Sequence, residues 1–230
     1  MRSFSDIWRE AAERKGGGAA LEALVAEHPV KSPAELAAIP DDRWLAQMSK
    51  CVFQAGFSWK VIEAKWPGFE RAFHAFDPKV NAVMSDEELD AHLKDTGIIR
   101  NAQKIVSVRS NAGFLVELAR EHGSAAAFFA AWPDGDFVGL LEVMKQRAAR
   151  LSGETAMRLF RFMGKASFIT SRDVTAALIA AGVVDKPPNG KKDLAAVQAA
   201  FNAWAAESGR DLTAMSRTLA FSTGPEGRMR

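Results

Sequence analysis

Apolar residues recur along this chain at the three- and four-residue spacing of a helix face. No stretch of useful length alternates apolar with polar residues as a half-buried strand does. Leu89 and Leu93 form one such stripe, Val174 and Leu178 another, and Met157, Phe160 and Met163 fall near one face of a third. Start signals precede several stripes. Ser32-Pro33-Ala34-Glu35 offers an N-cap, a proline at the first helical position and a capping-box acid; Asp77-Pro78 repeats the cap and proline, and Ser85 with Glu88 forms a further box. Gly97, Gly164 and Gly182 follow stripes as stop signals. The pattern predicts an all-α protein of roughly eight to eleven helices. Gly16-Gly17-Gly18 reads as a joint after a first short helix, and Lys186 to Lys192 as an exposed connection. No internal repeat or low-complexity tract interrupts this, so the expectation is one helical domain over residues 1–222 with a loose polar tail over 223–230.

Composition narrows the class. The chain has 230 residues, 48% of them hydrophobic and 25% charged, which suits a soluble globular protein with room for one domain or two small lobes. A single cysteine, Cys51, excludes an internal disulfide and any multi-cysteine zinc site. The opening Met1-Arg2-Ser3-Phe4 lacks the apolar run of a signal peptide, and the run near residue 180 is too short to span a bilayer, so a cytoplasmic protein with no membrane partner is expected. Net charge is only +2, but residues 97–172 carry eleven Lys and Arg against six Asp and Glu. Such a basic segment fits either a polyanion partner or an ordinary helical surface. His28, His74, His92 and His122 are scattered without ligand spacing, and no nucleophile elbow, P-loop or dinucleotide fingerprint is present.

Three constellations remain. Ser152 to Met163 reads as a helix, followed by a turn from Gly164 to Ile169 and a second helix capped by Thr170 with Asp173 at the capping-box position. A glycine turn opening onto a helix N-terminus exposes backbone N–H groups beside a positive dipole end, and Lys165 and Arg172 add charge; the corner grips a phosphate or is simply a packed αα-corner. Asp185, 21 residues after Gly164, is either a carboxylate that orients water or stabilises an oxocarbenium-like sugar, or a helix-terminal turn residue. In Cys51-Val52-Phe53-Gln54-Ala55-Gly56-Phe57-Ser58-Trp59, the aromatic residues around the glycine are a stacking wall, a wedge for a base stack, or core packing. Cys51 has no histidine nearby in sequence and reads as a small buried apolar residue.

Three ordered blocks carry a resemblance. Gln-Ala-Gly-Phe-Ser-Trp-Lys-Val-Ile from Gln54, Phe-His-Ala-Phe-Asp-Pro-Lys-Val-Asn-Ala-Val from Phe73, and Leu-Lys-Asp-Thr-Gly-Ile-Ile-Arg-Asn-Ala-Gln-Lys-Ile ending at Ile105 resemble the 3-methyladenine DNA glycosylase I family. Residues 152–182, and on to Asp185, are more weakly similar to its helix–hairpin–helix. The resemblance implies a helix–hairpin–helix glycosylase fold, two helical lobes around a cleft, that flips a methylated adenine out of double-stranded DNA. It implies Trp59 as the stacking residue, with Cys51 and Phe53 beside it at the substrate. It places Gly56 and Phe57 at an intercalating loop, Gly164, Lys165, Ser167 and Arg172 on the DNA backbone, and Asp185 near the superfamily's catalytic aspartate.

Departures from the family pattern are equally concrete. Cys51 stands where the family has a base-contacting glutamate, no counterpart of the zinc-binding Cys and His residues is recognisable, and the chain has no tyrosine. Residues 1–45 form a divergent N-terminal segment. The expectation is a metal-free, cofactor-free, monomeric and monofunctional glycosylase for alkylated purines. The alternatives are a damaged-DNA binding protein that has lost turnover, and a helical protein-interaction module.

Overall fold

The computed structural model describes residues 1–223, so the expected tail lies outside the described residues beyond 223. In chain order the helices are α1 (Phe4–Lys15), α2 (Gly18–Val25), α3 (Pro33–Ala37), α4 (Asp41–Gln54), α5 (Trp59–Ala72), α6 (Pro78–Ala82) and α7 (Asp86–His92). There follow α8 (Ala102–His122), α9 (Ala125–Ala131), α10 (Phe137–Arg147), α11 (Gly153–Met163), α12 (Arg172–Ala180), α13 (Lys191–Ser208) and α14 (Leu212–Ser222). Fourteen α-helices among the described residues exceed the expected range because several are only five to eight residues long, too short to show a periodicity of their own.

The start signals act as read. Ser32 and Ser85 each close a capping box, with Glu35 and Glu88 respectively, and Asp77 accepts from the N–H groups of Lys79 and Val80. Two starts differ. Ser171, not Thr170, caps α12 by accepting from the Val174 N–H. α13 begins at Lys191, inside the stretch read as an exposed connection, which puts Asp193 in its first turn, where a carboxylate favours the helix dipole.

The chain divides into two compact units: residues 31–132 with 140–163, and residues 1–30 with 133–139 and 164–223 of the described chain. In the first, α8 is the axis, with α4, α6 and α9 packed on it. Trp44 lies 4.6 Å from Phe129, which meets Phe160 edge-on at 5.6 Å. Trp66 stacks on Phe69 and Phe76 at 5.4 and 5.2 Å while its indole N–H donates to Glu70 at 3.0 Å. Asp41, at the start of α4, also accepts the Ala125 and Ala126 N–H groups at 3.0 and 2.9 Å, capping α9 from another element.

The segment Phe73-His74-Ala75-Phe76-Asp77-Pro78 makes an unusual corner in this unit. His74, Ala75 and Phe76 have φ of 50°, 51° and 60°, left-handed values that cost side-chain-bearing residues energy. Surrounding bonds hold it there. Arg43, itself paired in fork geometry with Glu70 at 2.9 and 3.2 Å, donates to the Ala75 carbonyl at 2.6 Å. Asn81, fully buried, donates to the carbonyls of Phe73 and Asp77, each at 2.8 Å.

In the second unit, α14 is the hub, packed against α1 and α12. Phe168 stands edge-on to Phe137 at 5.2 Å and stacks on Phe201 at 4.7 Å. The Trp204 indole donates to the Arg2 carbonyl at 3.1 Å, and Glu207 accepts the free N–H groups of Phe4 and Ser5 at the start of α1. Of the divergent N-terminal segment, residues 1–30 contribute α1 and α2 to this unit through ordinary core contacts, and residues 31–45 belong to the other unit. Trp8 belongs to the same layer and Trp44 is a core residue of the other unit.

Gly68 sets the closest approach in the first unit. A Cβ there would lie 2.3 Å from the Gly97 carbonyl oxygen, a backbone atom that cannot swing aside. Gly68→Ala is expected to destabilise the fold by about 1–3 kcal/mol through overpacking, read as a lower midpoint in denaturant with an unchanged slope.

Candidate functional site

The α4–α5 junction is built by a stop, a turn and a start. α4 ends at Gln54, Ala55 leaves the helix at ψ 115°, and Gly56 takes φ +69°, which glycine adopts without a Cβ penalty. The Phe57 N–H returns to the Gln54 carbonyl at 3.1 Å, and Trp59 opens α5. Phe57 is 45% exposed and Trp59 44%, high values for rings of this size. Lys104 of α8 fastens the stop: its buried ammonium donates to the Phe53 carbonyl at 3.1 Å and the Ala55 carbonyl at 2.7 Å. A cation at a helix C-terminus satisfies carbonyls that have no helical partner. Burial pulls the pKa of Lys104 below its usual value, with Arg150 adding to the shift.

A pocket of about 280 Å³ opens beside this junction. Cys51, Gln54, Ala55 and Gly56 at the α4 end line it together with Trp59 and with Glu154, Thr155, Arg158 and Phe162 of α11. Trp59 meets Phe162 edge-on at 6.0 Å, and the Arg158 guanidinium lies 5.8 Å from the centroid of the Trp59 ring. Arg158 is also paired with Glu154 at 3.2 Å. A larger cavity of about 760 Å³ in the same unit runs along His74 to Lys79 and the end of α8. It lacks an aromatic wall, and its Asp41 and Asp77 are occupied as helix caps.

Of the expected substrate residues, the structure brings Cys51 and Trp59 together and leaves Phe53 out. Phe53 is fully buried, edge-on to Phe69 at 4.6 Å. The reason is helical geometry: residues two apart point to nearly opposite sides, whereas Cys51, Gln54 and Ala55 at i, i+3 and i+4 share a face. The Cys51 thiol accepts from Gln47 at 3.4 Å, and burial pushes its pKa up to about 11 against the opposing pull of Gln47, Arg158 and Lys50. It therefore stands in the pocket as a neutral thiol, not a carboxylate.

The expected DNA-facing corner belongs to the other unit. Gly164 has φ +87° and Arg172 is exposed on the first turn of α12. Lys165, by contrast, is only 2% exposed and its ammonium pairs with Asp134 at 3.0 Å. The Ser167 and Ile169 N–H groups donate to Thr213 and Ser216 of α14, both at 3.1 Å. Much of this turn's polar capacity is thus spent internally. Asp185 lies exposed in the connection after α12.

Sequence reasoning missed the α11 wall and Lys104. Phe162 carried a signal, being a large apolar residue off the Met157, Phe160 and Met163 stripe. Glu154 and Arg158 lie four residues apart, the spacing of any exposed helical ion pair, which marks no pocket. Lys104 carried none, because its partners are backbone carbonyls about fifty residues earlier. Among the described residues no three His, Cys, Asp or Glu side chains gather as a metal-binding group, and no helix is long and apolar enough to cross a membrane.

This fold is that of the helical DNA glycosylases. It superposes on the Methanocaldococcus jannaschii 8-oxoguanine glycosylase/lyase, solved with a DNA 15mer containing 8-oxoguanine, with a TM-score of 0.53 over 93% of this chain and 95% of that one. Identity is only 13%, so the likeness is one of fold. Residues 39–187 match the methyladenine glycosylase family, and the chain belongs to that family. Over 59 residues it is 39% identical to the DNA-3-methyladenine glycosylase of Haemophilus influenzae and to DNA-3-methyladenine glycosylase 1 of Escherichia coli. Those stretches are 26% of this chain, which spans 32% of the length of each relative.

Because the Cys51 thiol is buried with its pKa near 11, iodoacetamide should label the native protein far more slowly at pH 8 than the urea-unfolded chain. The native rate should keep rising between pH 9 and about 11, where an ordinary thiol levels off. Mass spectrometry of quenched samples measures both.

Proposed function

We propose that this protein is a base-excision glycosylase that hydrolyses the N-glycosidic bond of an alkylated purine flipped out of double-stranded DNA. The observation that carries the reading is the pocket beside Gly56: an exposed Trp59 wall next to a protruding Phe57, on a loop pinned by Lys104. An extruded base needs a π-face to stack on, and the duplex it leaves needs something to fill the gap. Trp59 takes the first role and Phe57 the second. Arg172 and the N-terminus of α12 hold a phosphate, while Lys165 braces the turn through Asp134.

Position 51 limits the chemistry. A neutral thiol in place of a glutamate removes a charge-assisted hydrogen bond of about 1.5–3 kcal/mol. An alkylated purine tolerates that loss better than a neutral base, since its positive ring already weakens the glycosidic bond. Asp185 is assigned the water-orienting role, from its place after the hairpin and the family resemblance. Binding of damaged DNA without turnover is the second reading, and the neutral Cys51 is the observation that favours it.

Under single-turnover conditions, methylated duplex should release a methylated purine and leave an abasic site. Trp59→Ala should slow release by about tenfold or more through lost stacking, and Asp185→Asn by about 10²-fold or more through lost general-base help. Cys51→Glu should speed release of 3-methyladenine. Salt-dependent duplex binding with no base released would leave the binding-protein reading standing instead.

A further inference from the structure

Arg158 and Glu154 have no part in the reading above, yet both line its pocket. The Arg158 guanidinium makes two contacts: it lies over the Trp59 ring, 5.8 Å from the centroid, and it pairs with Glu154 at 3.2 Å. Both Arg158 and Glu154 are partly solvent-exposed, with side chains 37% and 46% accessible, so neither is locked in place by packing. With Cys51 neutral, Glu154 is the carboxylate among the pocket's lining residues.

Those two contacts are the ones a positively charged purine ring would seek. A flat cation is drawn to the face of an indole by the ring quadrupole and to a carboxylate by charge. Resting on the proposed glycosylase function, we infer that Arg158 is a built-in stand-in for a cationic N-alkylated purine. It occupies the Trp59 face in the empty pocket and is displaced when such a base enters, and Glu154 then becomes the base's counter-ion. The carboxylate absent from α4 at position 51 is in this way supplied from α11. The arrangement selects for charge: a cationic base replaces Arg158 at little electrostatic cost, whereas a neutral base would leave Glu154 without a partner.

The two members of the ion pair therefore have opposite effects, which a purely structural salt bridge cannot produce. The probe is 1-methyladenosine, whose ring is cationic, against neutral adenosine, titrated into the full-length protein at pH 7 with binding followed by NMR. Wild type should prefer the cationic nucleoside. Arg158→Met should tighten 1-methyladenosine by roughly threefold to tenfold by removing the competitor, and Glu154→Gln should weaken it by a similar factor. Arg158→Lys, which keeps a competing cation, should stay within about twofold of wild type, and adenosine should move little in any variant. Thermal unfolding confirms that each variant is folded. The inference is overturned if both changes act in the same direction, if neither acts, or if 1-methyladenosine does not bind. It is also overturned if Arg158→Met weakens every duplex alike and lowers the salt slope, the behaviour of a phosphate contact. Nucleoside binding needs no turnover. Opposed effects without base release would sink the glycosylase reading alone, and base release without opposed effects would sink this inference alone.

Discussion

The Lys104 ammonium, bonded to the carbonyls of Phe53 and Ala55, determines where α4 stops, and the site depends on that stop. Had α4 continued by another turn, Phe57 and Trp59 would be carried round a helix instead of standing out from a loop. The bond is made at a cost, since burial disfavours the charged amine. Two backbone acceptors and the negative end of the α4 dipole offset that cost. The arrangement also ties the loop to α8, the longest helix of its unit, so the exposed aromatic pair projects from a rigid base.

A second constraint concerns charge. On the α4 side the pocket presents Cys51, a thiol that burial keeps protonated through the physiological range. The α11 wall adds a carboxylate and a guanidinium paired at 3.2 Å. This pair is partly exposed rather than buried, so its attraction is weaker and more easily screened.

The hairpin side follows a different logic. Side chains from α14 meet the N–H groups of Ser167 and Ile169, and Asp134 meets Lys165, so the turn is held by internal bonds. Arg172 is left exposed at the helix start, where charge and dipole act together. A turn stiffened in this way presents one cation in a defined place.

Much of this was legible in the residues themselves. The all-α class, the capping boxes at Ser32 and Ser85, and the glycine at the α4–α5 junction follow from local rules, because caps and left-handed turns involve partners within four residues. The ordered blocks around Gln54, Phe73 and Gly97 carried the family for the same reason: they are contiguous. Phe53, Lys104, Lys165 and the Glu154–Arg158 pair were not legible. Whether a side chain lines a pocket or fills a core depends on which face of its helix meets a neighbour. The neighbours of Phe53, Lys104 and Lys165 lie far along the chain: Phe69 for Phe53, two carbonyls of the α4 end for Lys104, Asp134 for Lys165. Sequence by itself determined the all-α class, the capped starts at Ser32, Asp77 and Ser85, and the glycine turn of the aromatic loop. Only the tertiary structure decided which side chains the pocket contains, because that depends on packing between helices distant in the chain and leaves no local periodicity to read.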